Sequence, residues 1–265
     1  MNKKLIFLTA AAVLSAVFFL PLFGCAKPTS PQSDLPPSQN ENVFLPEPQK
    51  DPGECLAQTF FIGDSNTAHL AHPGYTAISG LISPEHIWTG SANTLMLDIN
   101  MSVSDPETKK SKAITDMAKE KKPEFLVITL GYNGFSSPVS DPARKASLDR
   151  LFLAAYDALI SDILRGSPNT RIIVQSIFPV THGTEISDPN SVNLRIDELN
   201  SVLKNLAKSR GVKYLDTQSV LRDPDTNCLR DEYSKCGNFY HVDGYHLSDT
   251  GLLAVLNYIK ENAYK

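Results

Sequence analysis

The feature that most constrains this chain is an alternation that begins near residue 60, where short β-branched and aromatic runs are separated by longer stretches of helical periodicity. The runs 60–62, 86–88, 125–130, 171–176 and 213–215 read as strands, being short, apolar and bounded by turn formers. Helices are predicted over 66–71, 92–97, 112–121, 143–164, 192–209 and 249–261, and 136–142, with two prolines and three serines, reads as a loop. Strands separated by helices imply right-handed crossovers and a parallel sheet covered by helices on both faces. Ligands in such sheets bind beyond the carboxyl ends of the strands, so the residues directly after each strand are the ones to search.

The first strand runs into Gly63-Asp64-Ser65-Asn66-Thr67. Gly63 permits a tight turn, and Ser65 falls at the start of a helix, where the positive helix end favours negative charge developing on an attacked carbonyl. A serine there is also a common helix N-cap, so Ser65 alone is ambiguous. Near the C-terminus stands Asp243-Gly244-Tyr245-His246. Residues three apart on a turn can face the same side, so Asp243 can hold one imidazole nitrogen while the other reaches across the crevice. An Asp and a His at this spacing can equally be a polar surface turn. Two further residues follow strands directly: Gly90 after the second and Asn133 after the third.

Ser65, Gly90, Asn133 and His246, in this order and on these elements, resemble the four blocks of the SGNH (GDSL-type) hydrolase family over about residues 57–262. The resemblance implies a flavodoxin-like three-layer α/β/α sandwich around a central, mainly five-stranded parallel sheet, with no metal and no cofactor. It also implies a serine esterase in which Ser65 is the nucleophile, His246 the base and then the acid, and Asp243 the residue that orients His246. The oxyanion hole would be the Ser65 and Gly90 backbone N–H groups and the Asn133 side-chain amide. Glycine lets a backbone N–H approach the substrate, and asparagine offers a neutral donor. The chain departs from the family pattern twice. Asn66 follows Ser65 where an apolar residue is usual, and Gly134 follows Asn133 where an acid is frequent.

His69 and His72 lie three apart after Ser65 and could be imagined as metal ligands, but no thiolate or carboxylate motif accompanies them, and they are expected to line or rim the crevice. Asp216 ends the fifth strand and is a second candidate acid, ranked below Asp243 for its lack of spacing to His246. Trp88, Tyr132, Phe135, Tyr240 and Tyr245 fall near strand ends or the catalytic loop, where aromatic residues serve either as core or as a platform for a sugar or acyl group.

The 265 residues leave room for one catalytic domain, expected over 55–265, once the front of the chain is set aside. Residues 1–24 have the layout of an export signal: Lys3 and Lys4, then an apolar run ending in Leu22-Phe23-Gly24-Cys25. That ending resembles the bacterial lipobox, which implies a diacylglycerol on Cys25 and an extracytoplasmic domain tethered to the membrane. An uncleaved N-terminal membrane helix is the alternative. Residues 25–54 are rich in Pro, Ser, Gln and Asn and cannot bury enough apolar surface to offset their ordering entropy, so they read as a disordered linker. Cys228 and Cys236 are close in sequence and, in an exported chain, are expected to pair. Cys55 is then left over, and pairing through Cys55 or three reduced thiols stays open.

The formal charge of -4, with acidic and basic residues interspersed, provides no concentrated positive field for nucleic acid. The expected partners are the membrane, through the N-terminal lipid, and an ester substrate, with the chain acting as a monomer. The leading substrate is an O-acetyl or other short acyl ester on cell-wall or other polysaccharides. A lysophospholipid or other lipid ester is the closest enzymatic rival. A surface glycan-binding lipoprotein that keeps the fold without turnover is the rival from another class.

Overall fold

A computed structural model of the protein describes residues 51–236 and 242–265. Its strands are β1 (Phe60–Gly63), β2 (Ile87–Trp88), β3 (Ser102–Ser104), β4 (Ser111–Ala113), β5 (Phe125–Thr129), β6 (Arg171–Gln175), β7 (Lys213–Leu215), β8 (Ser234–Cys236) and β9 (Val242–Leu247). Its helices are α1 (Pro52–Ala57), α2 (Ser65–His69), α3 (Ile114–Lys121), α4 (Tyr132–Phe135), α5 (Pro142–Gly166), α6 (Pro189–Arg210), α7 (Gln218–Leu221) and α8 (Asp249–Asn262).

The five expected strands form one all-parallel sheet in the order β2-β1-β5-β6-β7. Its register explains the three layers. Trp88, Ile62, Ile128, Val174 and Tyr214 lie in one row across the sheet, and all turn into the core shared with α3, α5 and α6 through Met117, Phe152, Tyr156 and Leu199. One residue earlier, Phe61, Val127 and Ile173 point to the other face and pack with Leu56, Val255 and Ile259 of α1 and α8. A strand with apolar residues at every position is what a sheet buried on both faces requires. The flavodoxin-like α/β/α architecture anticipated above is therefore the observed one.

The long helices carry their own boundary signals. Asp141 caps α5 and Asp188 caps α6, each followed by a proline in the first turn, and α6 stops at Gly211 with φ of 64°. Helix α1 starts at Pro52, inside the stretch expected to be linker, because Asp51 accepts from Gly53 N and Cys55 and Leu56 are buried in the core.

Three local expectations are corrected. Residues 92–97 are not a helix: after a tight turn at Ser91–Asn93, where Ala92 and Asn93 take φ of 53° and 62°, Leu95 and Leu97 are buried and Met96 is exposed. That alternation belongs to extended chain. The stretch 112–121 begins as strand, because β4 closes a two-stranded antiparallel sheet with β3 before α3 starts. The Asp243 to His246 segment lies in β9, which pairs antiparallel with β8 through an irregular register.

Candidate active site

The sheet order sets the site. β1 lies between β2 and β5, so Ser65, Gly90 and Asn133 come from the carboxyl ends of three adjacent strands, with Ser65 in the middle. Gly63 makes the approach possible: a Cβ there would sit 2.0 Å from Thr67 Oγ1 and 2.7 Å from the Thr129 carbonyl. The N-cap of α2 is Asp64, whose carboxylate accepts from Asn66 N at 3.2 Å. The structural alternative for Ser65 thus falls to its neighbour, and the Ser65 hydroxyl is engaged elsewhere.

It meets His246. The imidazole Nε2 is 2.8 Å from Ser65 Oγ, and Nδ1 is 2.9 Å from Asp243 Oδ2. A carboxylate only accepts, so Nδ1 carries the proton; in the neutral ring Nε2 then accepts from the serine hydroxyl. In a regular strand, residues three apart point to opposite faces. Gly244, with φ of 97°, breaks that alternation, and a Cβ there would meet the Thr181 carbonyl at 2.6 Å. The Asp243 Oδ1 atom accepts from Tyr245 N at 3.1 Å and His246 N at 2.9 Å, which folds the backbone around the carboxylate. Burial pushes the Asp243 carboxyl upward, but these hydrogen bonds and the imidazole outweigh it and hold the group below the usual carboxylate range.

Gly90 begins the tight turn after β2, where a Cβ would lie 1.9 Å from the Thr94 carbonyl. Asn133 sits between two left-handed glycines, Gly131 at φ 110° and Gly134 at φ 86°. With Gly134 in place of an acid, other side chains hold this loop. The Tyr156 hydroxyl donates to the Leu130 carbonyl at 2.7 Å and accepts from Leu130 N at 3.2 Å. Arg195, buried with 3 % of its surface exposed, donates from Nε to the Phe135 carbonyl at 3.1 Å and pairs with Asp149 at 2.6 Å and Glu198 at 3.0 Å. The Asn133 Nδ2 group donates to Asp64 Oδ2 at 3.4 Å, which uses one of its two amide hydrogens. Burial pushes the Asp64 carboxyl up to about 6.

His69 and His72 rim the site. The His69 ring lies 5.1 Å from that of His246 and is stacked on Tyr75, whose hydroxyl is 2.9 Å from His69 Nδ1. Burial first, then the charge of Lys235 and the neighbouring rings, pushes His69 down to about 4. The exposed His72 accepts from Gly74 N. Among the described residues, no group of three or more His, Cys, Asp or Glu is arranged to hold a metal ion. Trp88 and Phe135 are core residues, whereas the half-buried Tyr132 and Tyr245 rings stack at 5.3 Å beside His246. Beside Gly90 a recess of about 350 Å³ is lined by the polar Thr89, Ser91, Asn93, Ser104 and Asp105 and by apolar residues that include Pro84, Ile87 and Pro106.

Other expected residues lie apart. Asp216 stands exposed at the end of β7, while Asp243 takes the imidazole. Cys228 is buried with its thiol turned toward Asn190 Oδ1, 3.8 Å away; the bridge expected from it falls on the Cys236 side chain, outside the described residues. The Cys236 side chain, Tyr240, Cys25 and the whole of 1–50 lie outside the described residues. Among the described residues no helix is long and apolar enough to cross a membrane. Asp64, Tyr156 and Arg195 support the site without having been expected to; an arginine spaced along an amphipathic helix carries no signal of burial. Asn66 was visible in the sequence only as a departure from a pattern.

The sequence profile of the GDSL-like lipase/acylhydrolase family matches residues 61–252. No curated protein matches the chain in sequence. Among solved structures, a protein of Streptococcus pneumoniae described as a platelet activating factor is similar at 21% identity and a TM-score of 0.49, over 78% of this chain and 84% of that one. A GDSL-like lipase from Bacteroides thetaiotaomicron is similar at 16% identity and a TM-score of 0.46, over 83% and 92%. A carbohydrate acetylesterase from Sinorhizobium meliloti is similar at 14% identity and a TM-score of 0.44, over 77% and 97%.

Proposed function

The chain belongs to the GDSL-like lipase/acylhydrolase family and is an ester hydrolase; from that premise we propose that Ser65, His246 and Asp243 form its catalytic triad. The observation that carries this reading is the hydrogen-bonded series from Ser65 Oγ through the imidazole to Asp243, at 2.8 and 2.9 Å. His246 takes the hydroxyl proton as Ser65 attacks the ester carbonyl, and the oxyanion is held by the Ser65 and Gly90 backbone N–H groups and the Asn133 amide. The protonated imidazole hands its proton to the departing alkoxide. Water, activated by the same histidine, then releases the acid and restores the serine.

For substrate we propose an O-acetyl or other short acyl ester on a cell-wall or other polysaccharide. The recess beside Gly90 supports a sugar, since the hydroxyl and amide side chains of Thr89, Ser91, Asn93 and Ser104 suit a polar leaving group better than a hydrocarbon chain. The N-terminal sequence supports export and attachment to the membrane through Cys25, which would hold the domain among such polymers. Release of acetate from an acetylated glycan, set beside release of fatty acid from a lysophospholipid, separates the two substrates. Acetate release by the parent and not by Ser65→Ala is expected. Fatty acid release alone would replace the glycan with a lipid.

A further inference from the structure

The residue directly after Ser65 reaches the strand that carries His246. Asn66 is buried in the first turn of α2, with 8 % of its surface exposed. Its side-chain Nδ2 donates to the Tyr245 carbonyl at 3.1 Å, and its Oδ1 accepts the Leu247 N–H at 2.9 Å. The two bonds bracket His246, so one side-chain amide pairs with β9 as the peptide of a neighbouring strand would. Another bond that ties this segment to the body of the domain runs from Thr181 N to the Gly244 carbonyl at 2.9 Å. Among the described residues β9 pairs with β8 and with no strand of the central sheet, and that pairing shifts register between Ser234 and Cys236. The backbone of Asn66 is in turn held by Asp64 Oδ1 at 3.2 Å.

We infer that Asn66 is a positioning residue that sets the Ser65–His246 distance by clamping the backbone on both sides of the imidazole. The inference rests on the reading of Ser65 as nucleophile and His246 as base. Ser65 and Asn66 share one turn of helix, so any movement of the serine carries the clamp, and through it the histidine, in the same direction. A leucine here, the residue type usual for the family, would leave the Tyr245 carbonyl and the Leu247 N–H without these partners. This chain has made its nucleophile helix and its base strand into one unit through an amide.

The test is a double-mutant cycle read by the second-order rate of labelling with a fluorophosphonate. In that reaction a serine O–P bond forms and fluoride departs, with the serine proton taken by the base. Asn66→Ala is expected to slow labelling by about 10- to 100-fold, the penalty of a misplaced reacting pair. In a His246→Ala background the same substitution is expected to change the residual rate by less than about two-fold, because a residue that acts through His246 has nothing left to position. An equal slowing in both backgrounds, or labelling by Asn66→Ala within about two-fold of the parent, overturns the inference. If Asn66→Ala does not fold by circular dichroism, the near-isosteric Asn66→Asp, which keeps the acceptor for Leu247 and loses the donor to Tyr245, takes its place in the cycle, and the same two results support or overturn the inference. If His246→Ala alone labels as fast as the parent, it is the nucleophile and base assignment that falls.

Discussion

The Nε2 atom of His246 lies 2.8 Å from Ser65 Oγ across 181 positions of sequence. A contact at this separation is produced by the fold. The strand between β2 and β5 ends just before the serine, and a left-handed glycine in β9 turns the imidazole toward it. If that contact transfers a proton, the residues along it act as one unit and their substitutions are not additive. His246→Ala is expected to lower kcat by about 10³- to 10⁶-fold and Asp243→Asn by about 10²- to 10⁴-fold, with the double variant no worse than His246→Ala. Steady-state hydrolysis of a small activated acetate ester checks the order. Unchanged turnover in Asp243→Asn would remove the carboxylate from the mechanism.

The Asn133 loop separates chemistry from support. Asn133→Ala removes a side-chain donor whose intramolecular bond to Asp64 is long, at 3.4 Å. Turnover should fall by about 100- to 1000-fold, with KM and thermal stability little changed. Arg195→Met instead strips the Phe135 carbonyl of its donor and leaves Asp149 and Glu198 with Lys145 as their remaining shared cation. A loss of about 1 to 3 kcal/mol in unfolding free energy is expected, chiefly from the buried Phe135 carbonyl left without its charged donor, since Asp149 and Glu198 are partly exposed and keep Lys145. Denaturant unfolding and kinetics on the two variants should therefore move in opposite proportions. Equal stability losses would merge the two roles.

How much of this was legible beforehand follows the range of the interactions involved. The five sheet strands and long helices α5, α6 and α8 were legible because short apolar runs bounded by turn formers and long stretches of helical periodicity are local signals, while the capped starts of α5 at Pro142 and α6 at Pro189 were placed too late. Ser65, Gly90 and Asn133 were legible as candidates because they follow strands, and Asp243 and His246 as a spaced pair near the C-terminus. The segment 92–97 was misread because its composition suits a helix, while its conformation is set by the close approach of Gly90 to Thr94. The β8–β9 pairing and the Asn66 bonds were out of reach because their partners are brought together only by the fold.

Two titrating groups, the half-buried His69 and the buried Asp64, flank the site and impose opposite slopes of stability against pH. His69 is held down to about 4 from 6.5, so the unfolded chain binds a proton that the folded protein refuses, and stability falls as pH drops through that window. Asp64 is pushed up to about 6 from 3.8, so the folded protein keeps a proton that the unfolded chain has lost, and stability falls as pH rises through that window. His69→Phe, which keeps the stack on Tyr75, should gain on the parent in Tm as pH falls from 6.5 to 4. Asp64→Asn should gain on the parent as pH rises from 3.8 to 6. Thermal unfolding followed by circular dichroism across this range checks both, and parallel curves for variant and parent would refute the assignment.

Reaction with a fluorophosphonate followed by peptide mass mapping tests the nucleophile most directly. One adduct per chain is predicted, on the peptide containing Ser65, and none on the folded Ser65→Ala variant. An adduct that persists at another side chain in that variant, or a folded parent that takes up no reagent, would contradict the role given to Ser65.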